Sequence, residues 1–194
     1  MTLSAPVMLP DSGPPPGRFP DPLWLFGYGS LIWRPGFAFA ERCRARVDGH
    51  ARRFWQGSHD HRGVPGAPGR VVTLVPSPGA VCEGMAFRVE PSRAASTLAL
   101  LDHREQDGYE RTRLTLRLDD GRSVPGIAWI AAEGNASWLG DAPETAVVRQ
   151  IRASAGPSGS NAEYLLALAA RLDELGIVDP HVSGLARLVS RRVP

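Results

Sequence analysis

Two carboxylates, Asp102 and Glu105, close the run PSRAASTLALLDHRE (91–105). Pro91 and Ser92 are N-terminal helix signals, and Gly108 follows as a stop. At about 100° per residue, Leu98 and Glu105 point almost the same way, Leu101 and Asp102 lie to either side, and Arg104 points well away. Glu105 therefore leaves the edge of the apolar stripe. A carboxylate held against apolar surface has its charged form disfavoured, so its pKa rises and it becomes a usable general base near neutral pH. Asp102 competes for that role on the same spacing. A helix unwound before residue 105 would leave Glu105 an ordinary end residue.

A second pattern lies in LWLFGYGSLIW (23–33), an apolar run interrupted by Gly27, Tyr28, Gly29 and Ser30. Consecutive amides turning at Gly27–Leu31 form a concave set of N–H donors suited to a carboxylate or an oxyanion, and glycine permits close ligand approach. A tight turn between strands is the plainer alternative. Two familiar motifs fail here. A dinucleotide fingerprint needs a third glycine where Ile32 stands. A nucleophile elbow needs Gly-x-Ser-x-Gly, whereas Ser30 follows its glycine directly.

His59, Asp60 and His61 invite a metal reading, but no third ligand stands at a typical spacing, so no metal is expected. Arg62 beside them is suited to orienting a substrate carboxylate, or is a solvated loop arginine. Tyr164, within NAEYLLALAA, fits a packing tyrosine with its hydroxyl at a rim. Arg42, Arg44 and Arg46 alternate, which places them on one exposed strand face. Cys43 and Cys82 are too few and too far apart for a disulfide framework or a Cys-x-x-Cys site, and two reduced thiols in a cytoplasmic protein are expected.

These groups need a scaffold. Of the 194 residues, 43% are hydrophobic and 22% charged, values ordinary for a globular domain with a real core. A formal net charge of +2 is too balanced for a dedicated nucleic-acid binder. The chain has no lysine, which excludes Schiff-base and P-loop lysine chemistry. The first 22 residues are rich in proline, show no signal-peptide pattern, and are expected to form an extended tail. No stretch reaches the length of a membrane span. One domain is expected over 23–190.

Six strands are predicted, at 23–27, 44–56 (bent at Gly49), 70–76, 81–89, 110–118 and 123–131. The third and fourth are joined by a Pro-Ser-Pro-Gly turn, and residues 57–69 form a long loop rich in glycine. Helical spacing covers 143–154, 160–175 and roughly 180–190, with Gly156-Pro157-Ser158-Gly159 breaking the first two apart. This order implies an α+β fold with a closed or nearly closed sheet.

The blocks FGYGSLIW (26–33), RRFWQGS (52–58), DHRGVPGAPGRVVTLV (60–75), LDHREQDGY (101–109), LGDAPE (139–144) and AGPSGSNAEYL (155–165) together resemble the ChaC family of gamma-glutamylcyclotransferases, from about Leu23 to Leu188. The resemblance implies a small mixed β-barrel flanked by helices and, as activity, conversion of glutathione to 5-oxoproline and cysteinylglycine. It implies that Tyr28-Gly29-Ser30-Leu31, with Phe26 and Gly27 before it, cradles the gamma-glutamyl group. It makes Glu105 the catalytic base and Tyr164 a pocket-lining residue, with no cofactor, and a cytoplasmic monomer acting on a small molecule is expected. Departures from the pattern are His59 where a small hydroxyl residue is frequent, Ser160 where arginine is frequent, and Gln106-Asp107 before Gly108. Other gamma-glutamyl amino acids or amines as substrates, or a non-catalytic gamma-glutamyl-binding module, remain open from sequence.

Overall fold

The computed structural model describes residues 22–191. The expectation of an extended tail over 1–22 falls, but for Pro22, outside the described residues. Strand β1 (Leu23–Gly27) is buried along its whole length, which explains why its sequence is continuously apolar rather than alternating. A 3-10 turn (Ser30–Ile32) follows, and then the two longest elements, β2 (Glu41–Ser58) and β3 (Gly69–Val89). Helix α1 (Pro91–Arg104) leads into β4 (Tyr109–Leu118) and β5 (Ser123–Ala131). The C-terminal part comprises α2 (Glu144–Ala153), a two-residue hairpin of β6 (Ala155–Gly156) and β7 (Gly159–Ser160), α3 (Asn161–Glu174) and α4 (Pro180–Ser190).

The sheet closes into a five-stranded barrel in the order β1-β3-β2-β4-β5. It is mixed, because β1 runs antiparallel to β3 (Leu23 opposite Val89) but parallel to β5 (Leu25 opposite Ile127). Closure leaves no long free edge. The α+β barrel expected from the residues is the architecture found, with one correction. The predicted strands 70–76 and 81–89 are a single strand. Pairing with β2 passes from His50↔Pro76 directly to Asp48↔Val81, so residues 77–80 bulge opposite Gly49. Gly49 (φ 72°) and Gly79 (φ 80°) supply the left-handed backbone that this kink requires. Pro78 sits in the bulge, where a missing N–H breaks no ladder bond, and Pro76 is the last paired position before it, opposite His50.

The core joins the barrel interior to the inner faces of the helices. Leu98 and Leu101 of α1, Val147 and Ile151 of α2, Leu165 and Leu168 of α3, and Leu185 of α4 are all buried in it. Local signals set the helix starts. Ser160 and Glu163 form a capping box on α3, with Ser160 Oγ accepting from the Glu163 amide at 3.1 Å and Glu163 Oε2 accepting from the Ser160 amide at 2.9 Å. Asp179 caps α4 through the Val182 amide (3.1 Å), with Pro180 at the first helical position.

Candidate active site

At one mouth of the barrel the end of β1, the end of β2, the start of β3 and the end of α1 surround a cavity of about 350 Å³. Phe26, Tyr28, Gly29, Ser30, Leu31, Arg62, Glu105 and Tyr164 all line it. Eight of the nine site residues singled out in the sequence therefore meet in one place. Gly27 is the ninth, and it does not line the cavity. A Cβ there would meet the Leu31 Cβ at 2.8 Å, so Gly27 lets the chain fold back tightly after β1.

Helix α1 ends one residue earlier than expected, and Glu105 is its cap residue (φ −95°, ψ 65°), with its amide still bonded to the Leu101 carbonyl at 2.7 Å. The early unwinding does not make it an ordinary end residue. Its side chain is only 19% exposed. Burial pushes its pKa above the ordinary glutamate value, the Arg104 and His61 charges oppose the shift, and Asp60 adds to it. The other carboxylate has a different fate. Asp102 accepts from Arg111 Nε at 2.7 Å and from Trp129 Nε1 at 3.1 Å, and the Arg111 hydrogen bond holds its pKa below the usual range. Asp102 does not line the cavity.

Arg104 was expected to point well away from Glu105. The structure corrects this, because the helix stops and the 100° spacing no longer applies. Arg104 Nε lies 3.3 Å from Glu105 Oε1, Nη2 donates to Ser30 Oγ at 2.9 Å, and Nη1 donates to the carbonyls of Arg34 (2.7 Å) and Pro35 (2.9 Å). One guanidinium thus ties Glu105 to the segment that follows β1.

That segment turns tightly at the cavity wall. Ile32 N–H bonds the Gly29 carbonyl at 3.0 Å and Arg34 N–H bonds the Ser30 carbonyl at 2.8 Å, which closes the 3-10 turn. The amides of Gly29, Ser30 and Leu31 precede the first bond of the turn and have no backbone acceptor within it. At Gly29 a Cβ would come within 2.9 Å of Val72 Cγ2 and 3.1 Å of the Tyr164 hydroxyl, so only a bare backbone fits. Tyr28 turns its ring inward, and its hydroxyl donates to the Trp129 carbonyl at 2.6 Å.

Opposite this turn, Arg62 lies over the Tyr164 ring with Cζ 5.6 Å from its centroid, and Nη1 donates to the Ser160 carbonyl at 3.2 Å. Burial lowers the Arg62 pKa and raises that of the Tyr164 hydroxyl. Ser58 Oγ accepts from the amides of His61 (3.3 Å) and Arg62 (3.0 Å), which organises the loop. Its base is bound backbone to backbone. A Cβ on Gly156 would meet the carbonyl oxygens of Gly63 and His61 at 2.5 Å, and Cβ atoms on Gly63 or Gly69 would run into each other's strand of the loop. His61 Nδ1 pairs with Ser158 Oγ (3.0 Å) and Nε2 lies 3.5 Å from Asp60 Oδ2, whereas His59 is not on the cavity wall. The described residues contain no group of three or more His, Cys, Asp or Glu arranged to hold a metal ion.

A model of ChaC-like proteins matches residues 23–192. The chain belongs to the ChaC family. Among curated ChaC relatives it is 39% identical to the human glutathione-specific gamma-glutamylcyclotransferase 1 over 181 residues, covering 90% of this chain and 82% of that one. It is 41% identical to gamma-glutamylcyclotransferase 2-3 of Arabidopsis thaliana, covering 86% and 88%. A crystal structure of the yeast gamma-glutamyl cyclotransferase specific to glutathione superposes with a TM-score of 0.81 at 29% identity, covering 86% of this chain and 95% of that one. No described helix of this ChaC chain is long and apolar enough to cross a membrane.

Among the cavity residues of the ChaC chain that the sequence did not single out, beside Arg104, are Tyr109, Trp33 and Asp107. Tyr109 donates its hydroxyl to the Val72 carbonyl at 2.7 Å, Trp33 packs 5.8 Å from the Tyr164 ring, and Asp107 stands two residues beyond Glu105. Asp107 holds a left-handed backbone (φ 59°), with its carbonyl bonded to Gln56 Nε2, and its Oδ2 is buried without a hydrogen-bond partner. The departure of Gln106-Asp107 from the family pattern was the available signal for Asp107.

Proposed function

We propose that the chain is a glutathione-specific gamma-glutamylcyclotransferase with Glu105 as its single general acid and base. Its ChaC membership, and the activity for which a human relative 39% identical over nine-tenths of this chain is named, support the activity. The observation that carries the mechanism is a desolvated carboxylate facing a glycine-lined turn across one cavity.

The reaction is internal. The gamma-glutamyl α-ammonium gives a proton to Glu105, and the freed nitrogen attacks the γ-carbonyl carbon to form a five-membered ring. The carbonyl π electrons move to oxygen. Glu105 gives that first proton to the cysteinyl nitrogen and takes the second proton from the ring nitrogen. The tetrahedral centre then collapses, the carbonyl re-forms as the C–N bond to cysteine breaks, and the second proton passes from Glu105 to the released amine. The products are 5-oxoproline and cysteinylglycine, and no external nucleophile is consumed. Ring closure is already unimolecular, so the enzyme's contribution is to fold the glutamyl arm and to place charge. Amides of Gly29, Ser30 and Leu31 receive the substrate carboxylate or the developing oxyanion, where loss of one donor typically costs about 3 kcal/mol. Arg62 orients a carboxylate of the substrate, and Tyr164 supports Arg62 from beneath.

Incubation with glutathione, oxidised glutathione and gamma-glutamylalanine in parallel, with 5-oxoproline detected, tests the reading. Release from reduced glutathione alone is the expected result. Equal rates on gamma-glutamylalanine would refute the specificity, and glutathione bound in calorimetry but never cleaved would refute catalysis.

A further inference from the structure

Arg52 lies outside the cavity wall and is 2% exposed, yet one of the three groups it holds, Tyr28, lines the cavity. Its Nε donates to the Tyr28 carbonyl at 2.7 Å, Nη1 to Asp179 Oδ2 at 2.6 Å and Nη2 to the Glu83 carbonyl at 2.5 Å. A rigid planar fork can satisfy three separate acceptors at once, which an ammonium on a flexible stem cannot reproduce. Asp179 is itself fixed, because its other oxygen caps α4.

The Tyr28 carbonyl belongs to the same peptide unit as the Gly29 N–H. That unit is planar and trans, so its N–H points opposite to its C=O. Arg52 holds the carbonyl on the interior side of the turn, and the Gly29 N–H must face the other way. The next peptide is fixed as well, since the Gly29 carbonyl accepts from Ile32 N–H. Both peptide planes flanking Gly29 are therefore pinned from behind.

We infer that Arg52 is a positioning residue, which sets the orientation of the Gly29 amide as a donor to the reacting substrate and ties that orientation to α4 through Asp179. The inference rests on the cyclotransferase reading for what the donor meets. It predicts a loss confined to the transition state. A misaligned oxyanion donor lowers kcat and leaves ground-state binding nearly intact.

The test combines kinetics with 15N-labelled protein titrated with 5-oxoproline, a product that cannot turn over. In the wild type the Gly29 amide resonance is expected to shift on titration. In Arg52→Lys, folded by circular dichroism, that response is expected to vanish, with kcat down about 30-fold or more and KM within about threefold. A Gly29 amide indifferent to 5-oxoproline in the wild type, or a folded Arg52→Lys with wild-type kcat, overturns the inference. Where Arg52→Lys does not fold, Asp179→Asn decides. Its amide still caps α4 but loosens the guanidinium, and kcat is expected to fall several-fold at constant KM, an unchanged kcat counting against. Absence of turnover in the wild type would defeat the cyclotransferase reading, while the titration still decides on Arg52.

Discussion

The last turn of α1 and the irregular stretch that follows it carry carboxylates three residues apart, and the two have opposite electrostatics. Asp102, on the helix, faces outward to Arg111 and is held in its charged form. Glu105, just past the helix, is largely buried on the cavity wall beside Arg104, and burial pushes its pKa upward. Helical geometry alone would place them on adjacent faces. The break in the helix separates them, and a single residue of unwinding divides an exposed ion-pairing carboxylate from a largely buried one on the cavity wall.

The sharpest way to break this contrast is Glu105→Gln, expected to fold normally and to lower kcat about 10³-fold, read from 5-oxoproline release. Arg104→Met comes next. It keeps the bulk of the side chain but removes the cation that opposes the upward shift of Glu105. A tenfold or greater fall in kcat/KM at pH 7 is expected, and the acid limb of the pH profile should move to higher pH. In the wild type that limb should already lie above the ordinary glutamate range of about 4.3, since the base is inactive once protonated. An inflection at or below that value would remove the desolvated-base reading. Asp102→Asn should change kcat/KM by less than about threefold. Its partly exposed ion pair with Arg111 should cost at most about 1 kcal/mol in urea denaturation.

The smallest effect concerns stability. The folded pKa of Glu105 is raised above its unfolded value, so the folded state binds the proton more tightly. Stability then falls as pH rises from the unfolded to the folded pKa, and the full penalty is present above the latter. Glu105→Gln should accordingly melt slightly higher than wild type, by about 2 °C at pH 8, with the difference shrinking toward pH 4. A lower melting temperature at pH 8 would contradict the sign.

Where the residues form continuous local patterns, the sequence was sufficient to read the elements. Apolar runs located the strands, and helical spacing, with Pro91 and Ser92 as a start signal for α1, located the helices within a residue or two. The merging of 70–76 and 81–89 was not legible, because Pro76 to Gly79 is also good turn chemistry. Only the partner strand, with Gly49 opposite, makes it a bulge. At the site, Glu105 and the Phe26–Leu31 turn stood out through residue type. Arg104 did not, since helical spacing was applied one residue beyond the point where the helix stops. Arg52 looked like any strand arginine. Its burial depends on carbonyls and a carboxylate from positions 28, 83 and 179, which no local window contains.

The crossing of Gly63, Gly69 and Gly156 gives the loop after β2 an unexpected mechanical character. A segment so rich in glycine suggests a swinging flap, but here the bare backbones interlock at its root and admit not even a methyl group. The outer tip, where Val64 is exposed, is itself closed by paired backbone bonds between Val64 and Ala67 (3.2 and 2.9 Å). The loop is thus a fixed bracket rather than a gate, and it holds Asp60, His61 and Arg62 in a set position on the cavity wall.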